Sequence, residues 1–190
     1  MLKVAAVPRE IKECLEAVPE QFWNKKSKAK KRSCHHLHFG LGRGLNLCKG
    51  YAFGAASRDL PEVEQRLLSL LCGVAPTFSS IICNRYRPGH YMERHRDGNL
   101  AAFPMQAVVR WKSPDAQGGT LHIEGSAADA GVFLLDGNQY HWVTPLTQGW
   151  AYSIVTYAKA KYSNRVTAPV LERLRDIGYP VEALSGGAGA

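Results

Sequence analysis

The chain has 190 residues, 45% hydrophobic and 21% charged, with 24 Lys and Arg against 16 Asp and Glu and a formal net charge of +8. That length suits one domain with a core of its own, and the composition excludes collagen-like, mucin-like and fully disordered chains. No run approaches the roughly 18 apolar residues of a membrane span, and the first residues, MLKVAAVPREIKECLEAVPE, mix charge with apolar side chains. The expectation is a soluble intracellular protein with no membrane partner, nuclear in a eukaryote and otherwise cytoplasmic.

The reading is of one domain over 1–190: an N-terminal support over 1–76, a core over 77–160, and a C-terminal helix and tail over 161–190. Residues 9–17 predict a short helix with Ile11, Leu15 and Val18 on one side. The run KKSKAKKR, Lys25 to Arg32, then concentrates six positive charges. It suits a polyanionic partner, or equally a solvated arm or nuclear-import signal. FGLGRGLNLCKGYAFG predicts turns and short strands, and lacks the GxGxxG order of a dinucleotide site. A clearer helix follows: Asp59 is a plausible N-cap, Pro61 and Glu62 occupy the first turn, Leu60, Val63, Leu67, Leu70 and Leu71 form the stripe, and Gly73 ends it.

From Thr77 the signal turns to strands. TFSSIICNRY, PMQAVVRWK, GTLHIEG, GVFLLDG, HWVTPL and WAYSIVTYAK are rich in β-branched and aromatic residues and separated by turn chemistry. Such strands with no helices between them predict a mainly β (α+β) antiparallel sandwich or jelly roll. Thr167 to Ile177 predicts a closing helix, with Pro169 in its first turn and Gly178 after it, and a frayed tail LSGGAGA.

Five cysteines, Cys14, Cys34, Cys48, Cys72 and Cys83, contain no CxxC pair, so reduced thiols are expected. Cys34, His35, His36, His38 and Cys48 are zinc-capable types at a spacing that matches no common zinc module, and read as a non-metal cluster. The informative stretch is NRYRPGHYMERHRDGN. His95 and Asp97 are two apart, so on a strand they project from one face. His141 opens a later strand. Two histidines and one carboxylate occupy one face of an octahedral ion and leave three positions open, the arrangement of non-haem Fe(II) oxygenases. His35, His36, His38, His90 and His122 lack that context and are expected at the surface or in hydrogen bonds, His90 being near enough to support the motif.

With that motif, residues 77–158 resemble the double-stranded β-helix core of Fe(II)- and 2-oxoglutarate-dependent dioxygenases. FSSIICNRYRPG is similar to the AlkB-type repair enzymes, and the resemblance implies that Asn84 and Tyr86 help hold 2-oxoglutarate. HRDGN, GGTLHIEG and FLLDGNQYHWVTPLTQGWAYSIVTY resemble the TET and J-binding-protein dioxygenases. The resemblance implies Fe(II) at His95, Asp97 and His141, with 2-oxoglutarate and O2 as co-substrates. It further implies DNA or RNA as partner and oxidation of a base C–H, such as the methyl group of 5-methylcytosine or thymine. Arg94, Arg96, Asn99 and Tyr91 are then candidate substrate contacts.

One departure stands out. Such enzymes carry an Arg two residues before a Ser on the last core strand, to pair the distal carboxylate. Here the order is Ala151-Tyr152-Ser153: the serine is kept and the cation is absent. A carboxylate without its charge-assisted partner binds poorly. Arg110, in VVRWK, is the expected replacement, with Arg85 or Arg87, or a different co-substrate, as the other solutions. Rival functions are hydroxylation of a protein side chain or small molecule, a non-catalytic jelly-roll binding module, and a cupin-type metalloprotein.

Overall fold

The structure is a computed structural model, described over residues 1–23, 33–42, 52–97, 104–158 and 168–187. The basic run 25–32, Cys48 and Asn99 lie outside the described residues. In chain order the strands are Leu2–Ala5 (β1), His35–Gly42 (β2), Ala52–Phe53 (β3), Ser80–Tyr86 (β4), Met92–His95 (β5), Met105–Lys112 (β6) and Gln117–Gly118 (β7). They continue as Leu121–Ile123 (β8), Ser126–Ala128 (β9), Gly131–Asp136 (β10), His141–Val143 (β11), Leu146–Gln148 (β12) and Ala151–Tyr157 (β13). The helices are Arg9–Glu16 (α1), Ala55–Asp59 (α2), Pro61–Leu71 (α3) and Ala168–Ile177 (α4).

All strand pairs described are antiparallel. They form a seven-stranded sheet in the order β1-β10-β6-β13-β4-β2-β3, a four-stranded sheet β5-β11-β8-β9, and a β12-β7 pair. Strand β13 lies between β4 and β6, and AYSIVTY is buried on both faces except at its last residue. This explains why it reads as a nearly continuous apolar run rather than an alternating one. The large sheet separates two cores. One face meets the helices through Ile81, Cys83, Val109, Trp111 and Ile154, against Leu15, Leu67, Leu71 and Leu174. The other face meets the small sheet, where Tyr86, Val108, Ala151 and Val155 pack with Leu121, Ile123 and Val143. This is the mainly β jelly-roll sandwich expected, with few helices.

The closing helix and α1 stand where their periodicity placed them, and Gly178 follows α4 at φ +105. Two local expectations are corrected. Asp59 does not cap α3: it ends α2, its carboxylate is held 2.6 Å from Arg58, and Leu60 occupies the cap position without a side-chain bond. Residues 35–42 form one strand, paired with β4 from His35 to Gly40; of the segment expected as turns and short strands, 39–42 end this strand, 52–53 form β3, and 43–51 lie outside the described residues. The tail is not frayed over Glu182–Gly187, which forms a 3-10 turn with Leu184 buried in the helical core. Strand β1, on the edge beside β10, and helix α2 carried no sequence signal that was read. Among the described residues, no helix is long and apolar enough to cross a membrane.

Candidate metal centre and its surroundings

Strands β5 and β11 meet at the pair His95↔His141, and this places the two imidazoles together. Their ring centroids are 4.3 Å apart. Asp97 follows β5, and its backbone N–H donates to Gly137 O at 2.9 Å, which ties the carboxylate to the turn leading into β11. Asp97 Oδ1 lies 3.7 Å from His95 Nε2, and Oδ2 lies 3.7 Å from His141 Nε2. The three potential ligand atoms all fall within 4.8 Å of one another. Among the described residues this is the single group of three such side chains; Cys34, His35, His36 and His38 form no second one. Cys34 instead donates to Asn84 Oδ1 at 3.4 Å.

The donor set fits a metal in more than composition. His95 Nδ1 lies 2.7 Å from Glu93 O, and His141 Nδ1 lies 2.9 Å from Gln139 O. A carbonyl only accepts, so each Nδ1 carries the proton and each Nε2 presents its lone pair to the common centre. Gln106, fully buried on β6, donates its Nε2–H to Asp97 Oδ2 at 3.0 Å and fixes the carboxylate. The sequence reading missed Gln106. Its only signal was position: on β6 it shares a face with Val108 and Arg110.

Asn84, Tyr86, Arg110 and Ser153 are brought together on three adjacent strands. Ser153 stands opposite Asn84 on β4 and opposite Arg110 on β6. All four are buried. Arg110 is 0% exposed. Its Nη2 donates to Gly119 O, its guanidinium carbon lies 5.4 Å from the centre of the Tyr86 ring, and its Nε and Nη1 have no partner. Among the described residues no carboxylate reaches ion-pair distance of it. Burial pulls its pKa below the ordinary guanidinium range, with Tyr86 and Asp129 opposing that shift. Ala151, opposite both Tyr86 and Lys112, leaves no cation on the last strand, and Lys112 is neutralised by Asp129 at 2.8 Å.

The other arginines point elsewhere. Arg85 projects from the helix-facing side, over the Trp23 ring at 4.4 Å, and Arg85 and Arg87 both donate to Glu20 Oε2 at 2.8 Å. His35 lies 3.2 Å from Arg85, and His90 accepts from the Arg87 N–H at 3.2 Å. Burial depresses both histidine pKa values, and the neighbouring arginines add to it. Tyr91 is exposed, its backbone N–H bonded to Ser33 Oγ at 2.9 Å. Arg94 and Arg96 stand on the side of β5 away from the triad, each over the Tyr140 ring.

A two-histidine, one-carboxylate face inside an antiparallel jelly roll defines a class: the fold is that of the 2-oxoglutarate- and Fe(II)-dependent oxygenases. Two solved structures with TM-scores above 0.5 carry the likeness. NgTET1 in complex with 5mC DNA matches at 14% identity and a TM-score of 0.53, over 90% of this chain and 77% of its own. A 2OG-Fe(II) oxygenase family oxidoreductase from Burkholderia pseudomallei matches at 15% identity and a TM-score of 0.52, over 77% of this chain and 75% of its own. A Pseudomonas putida prolyl-4-hydroxylase matches at 19% identity and a TM-score of 0.48, over 83% and 91%. No protein-family model and no curated protein sequence matches the chain.

Proposed function

We propose that this chain is an Fe(II)- and 2-oxoglutarate-dependent dioxygenase that oxidises a C–H bond of a nucleic-acid base. The observation that carries the reading is the pairing of two features in one sandwich interior. One is the His95–Asp97–His141 face, with both Nε2 lone pairs turned inward. The other is the buried Arg110, with two guanidinium nitrogens unpartnered. A buried cation without a counter-charge is costly, and a dicarboxylate co-substrate supplies the missing partner. His95, Asp97 and His141 would hold the iron, which when bound supplies dioxygen activation coupled to decarboxylation of a 2-oxo acid.

The chain's own residues do the rest. Gln106 holds Asp97 in a single rotamer. Arg110 receives the distal carboxylate, in place of the cation absent at Ala151, and Ser153, Asn84 and Tyr86 stand beside it on the adjacent strands. Val108, Leu135, Val143 and Leu146 exclude water from the interior. The net charge of +8 suits a phosphate-bearing substrate, and the likeness to a structure that holds 5mC DNA supports a base as target.

The test is anaerobic Fe(II) uptake by the full chain, then 2-oxoglutarate turnover with oligonucleotides carrying 5-methylcytosine or thymine, products read by mass spectrometry. Stoichiometric iron uptake, succinate and an oxidised base are expected, with Asp97→Ala losing all three. Undiminished uptake and turnover in Asp97→Ala would refute the assignment. Oxidation of a peptide with none of an oligonucleotide would retain the dioxygenase and discard the nucleic-acid substrate.

A further inference from the structure

The outer face of the small sheet is built as carefully as its inner one. Strand β5 carries a bulge: the inward pairs Met92↔Val143 and His95↔His141 leave two residues, Glu93 and Arg94, opposite the single Trp142. Arg94 thereby joins Trp142 on the outside. Trp142 stands in register with His122, and the two rings stack at 4.9 Å with an interplanar angle of 5°. Beside them the Tyr140 ring lies under two guanidiniums, Arg94 at 3.9 Å and Arg96 at 4.9 Å. The three rings are half-buried and both arginines are exposed. Arg94 is shared with Glu124 at 3.1 Å; among the described residues no carboxylate pairs Arg96.

We infer that this face is a binding platform for an unpaired nucleic-acid strand, distinct from the metal pocket. Half-buried aromatic rings offer their uncovered surface to bases, and the exposed guanidiniums that lie over the Tyr140 face take phosphates. A duplex presents stacked, covered bases and an acidic peptide presents no planar faces, so neither uses the ring row. Strand β5 is the edge of its sheet. Over this strand and the two residues after it, Arg94 and Arg96 alternate with the inward His95 and Asp97, so a nucleic-acid strand laid on the platform crosses one edge to reach the triad. The inference rests on the nucleic-acid substrate proposed above, and locates the contacts that hold the nucleotides flanking the target.

The experiment is fluorescence anisotropy of the full-length protein with a labelled oligothymidine, an equal-length duplex and a polyglutamate peptide, across a salt series. The variants are Trp142→Ala, Trp142→Phe and Arg96→Gln, each checked for unchanged Co(II) uptake and thermal unfolding. Trp142→Ala is expected to weaken single-strand binding by about tenfold or more, with Trp142→Phe restoring most of it. Arg96→Gln should lower the slope of log affinity against log salt by about one. Tight oligonucleotide binding that no outer-face variant changes would overturn the platform and leave the nucleic-acid reading standing. Equal competition by polyglutamate would overturn the stacking argument. Absence of oligonucleotide binding at low salt would overturn both readings, while Co(II) uptake would still report the metal centre by itself.

Discussion

A single buried guanidinium sets the sharpest expectation at the level of side chains. Arg110 keeps two guanidinium nitrogens, Nε and Nη1, unpartnered in the interior. Arg110→Met should therefore act in opposite directions on two quantities. Without ligand, removing an uncompensated charge should raise Tm by about 3 °C, a gain on the order of 1 kcal/mol. Affinity for 2-oxoglutarate should fall by about 10- to 100-fold, the worth of a charge-assisted pair. Calorimetry and isothermal titration on the same samples check both, and a variant that loses stability without losing affinity would assign Arg110 a packing role. Much of this site was legible in the sequence. His-x-Asp on a strand and a later histidine named the triad, and the missing cation at Ala151 directed attention to Arg110. Gln106 was not legible, since a glutamine carries no spacing signature and its contact with Asp97 exists only once β6 is folded. Nor was the inward turn of Met92, because the bulge adds one residue between it and His95 that alternation does not count.

Among the elements, β2 packs Leu37, Phe39 and Leu41 into the helix-side core, and its weak points are specific. Gly40 has φ +70, and a Cβ there would collide with Ser79 O and meet the Tyr179 hydroxyl at 2.7 Å. Its N–H is shared by Ser57 and the buried Glu64, which also accepts from Tyr179 at 2.6 Å. Gly40→Ala should cost about 3 kcal/mol, from backbone strain and overpacking together, read as a loss of denaturant midpoint at constant slope. The same strand presents His35 to His90, with ring centroids 5.0 Å apart, between Arg85 and Arg87 and facing Glu20. Both imidazoles hold their protons less readily folded than unfolded. Their contribution is complete above the ordinary histidine pKa of about 6.5 and is lost as pH falls through the depressed folded values. Tm should drop as pH falls from 7.5 towards 5, and His35→Gln should flatten that slope. The sequence missed β2 as a unit because glycines spelled turn where β4 supplied a pairing partner, and misplaced the α3 cap because α2, five residues long, left no periodic trace.

At the level of the whole molecule, the sandwich divides its labour between a helix-backed sheet and a smaller one. The large sheet supplies the buried cation and its polar neighbours; the small one supplies the two histidines. All three candidate metal ligands come from the small-sheet side, and Gln106 of the large sheet bonds Asp97 where the two sheets meet. Alternation, turn chemistry and the absence of helices between strands sufficed to read a jelly roll. The order β1-β10-β6-β13-β4-β2-β3 was beyond that reading, because long-range pairing leaves no local mark. The bulge in β5 has a last consequence. A slip of one residue along that edge would replace two ligands with two guanidiniums, so an ion captured by His95, Asp97 and His141 also selects the correct alignment of the strand. Loading with Co(II) should accordingly slow amide hydrogen exchange at residues 92–97 far more than in the central strand β13. Metal occupancy and edge alignment are then two readings of one equilibrium, and a chain stripped of its ion loses its aim before it loses its shape.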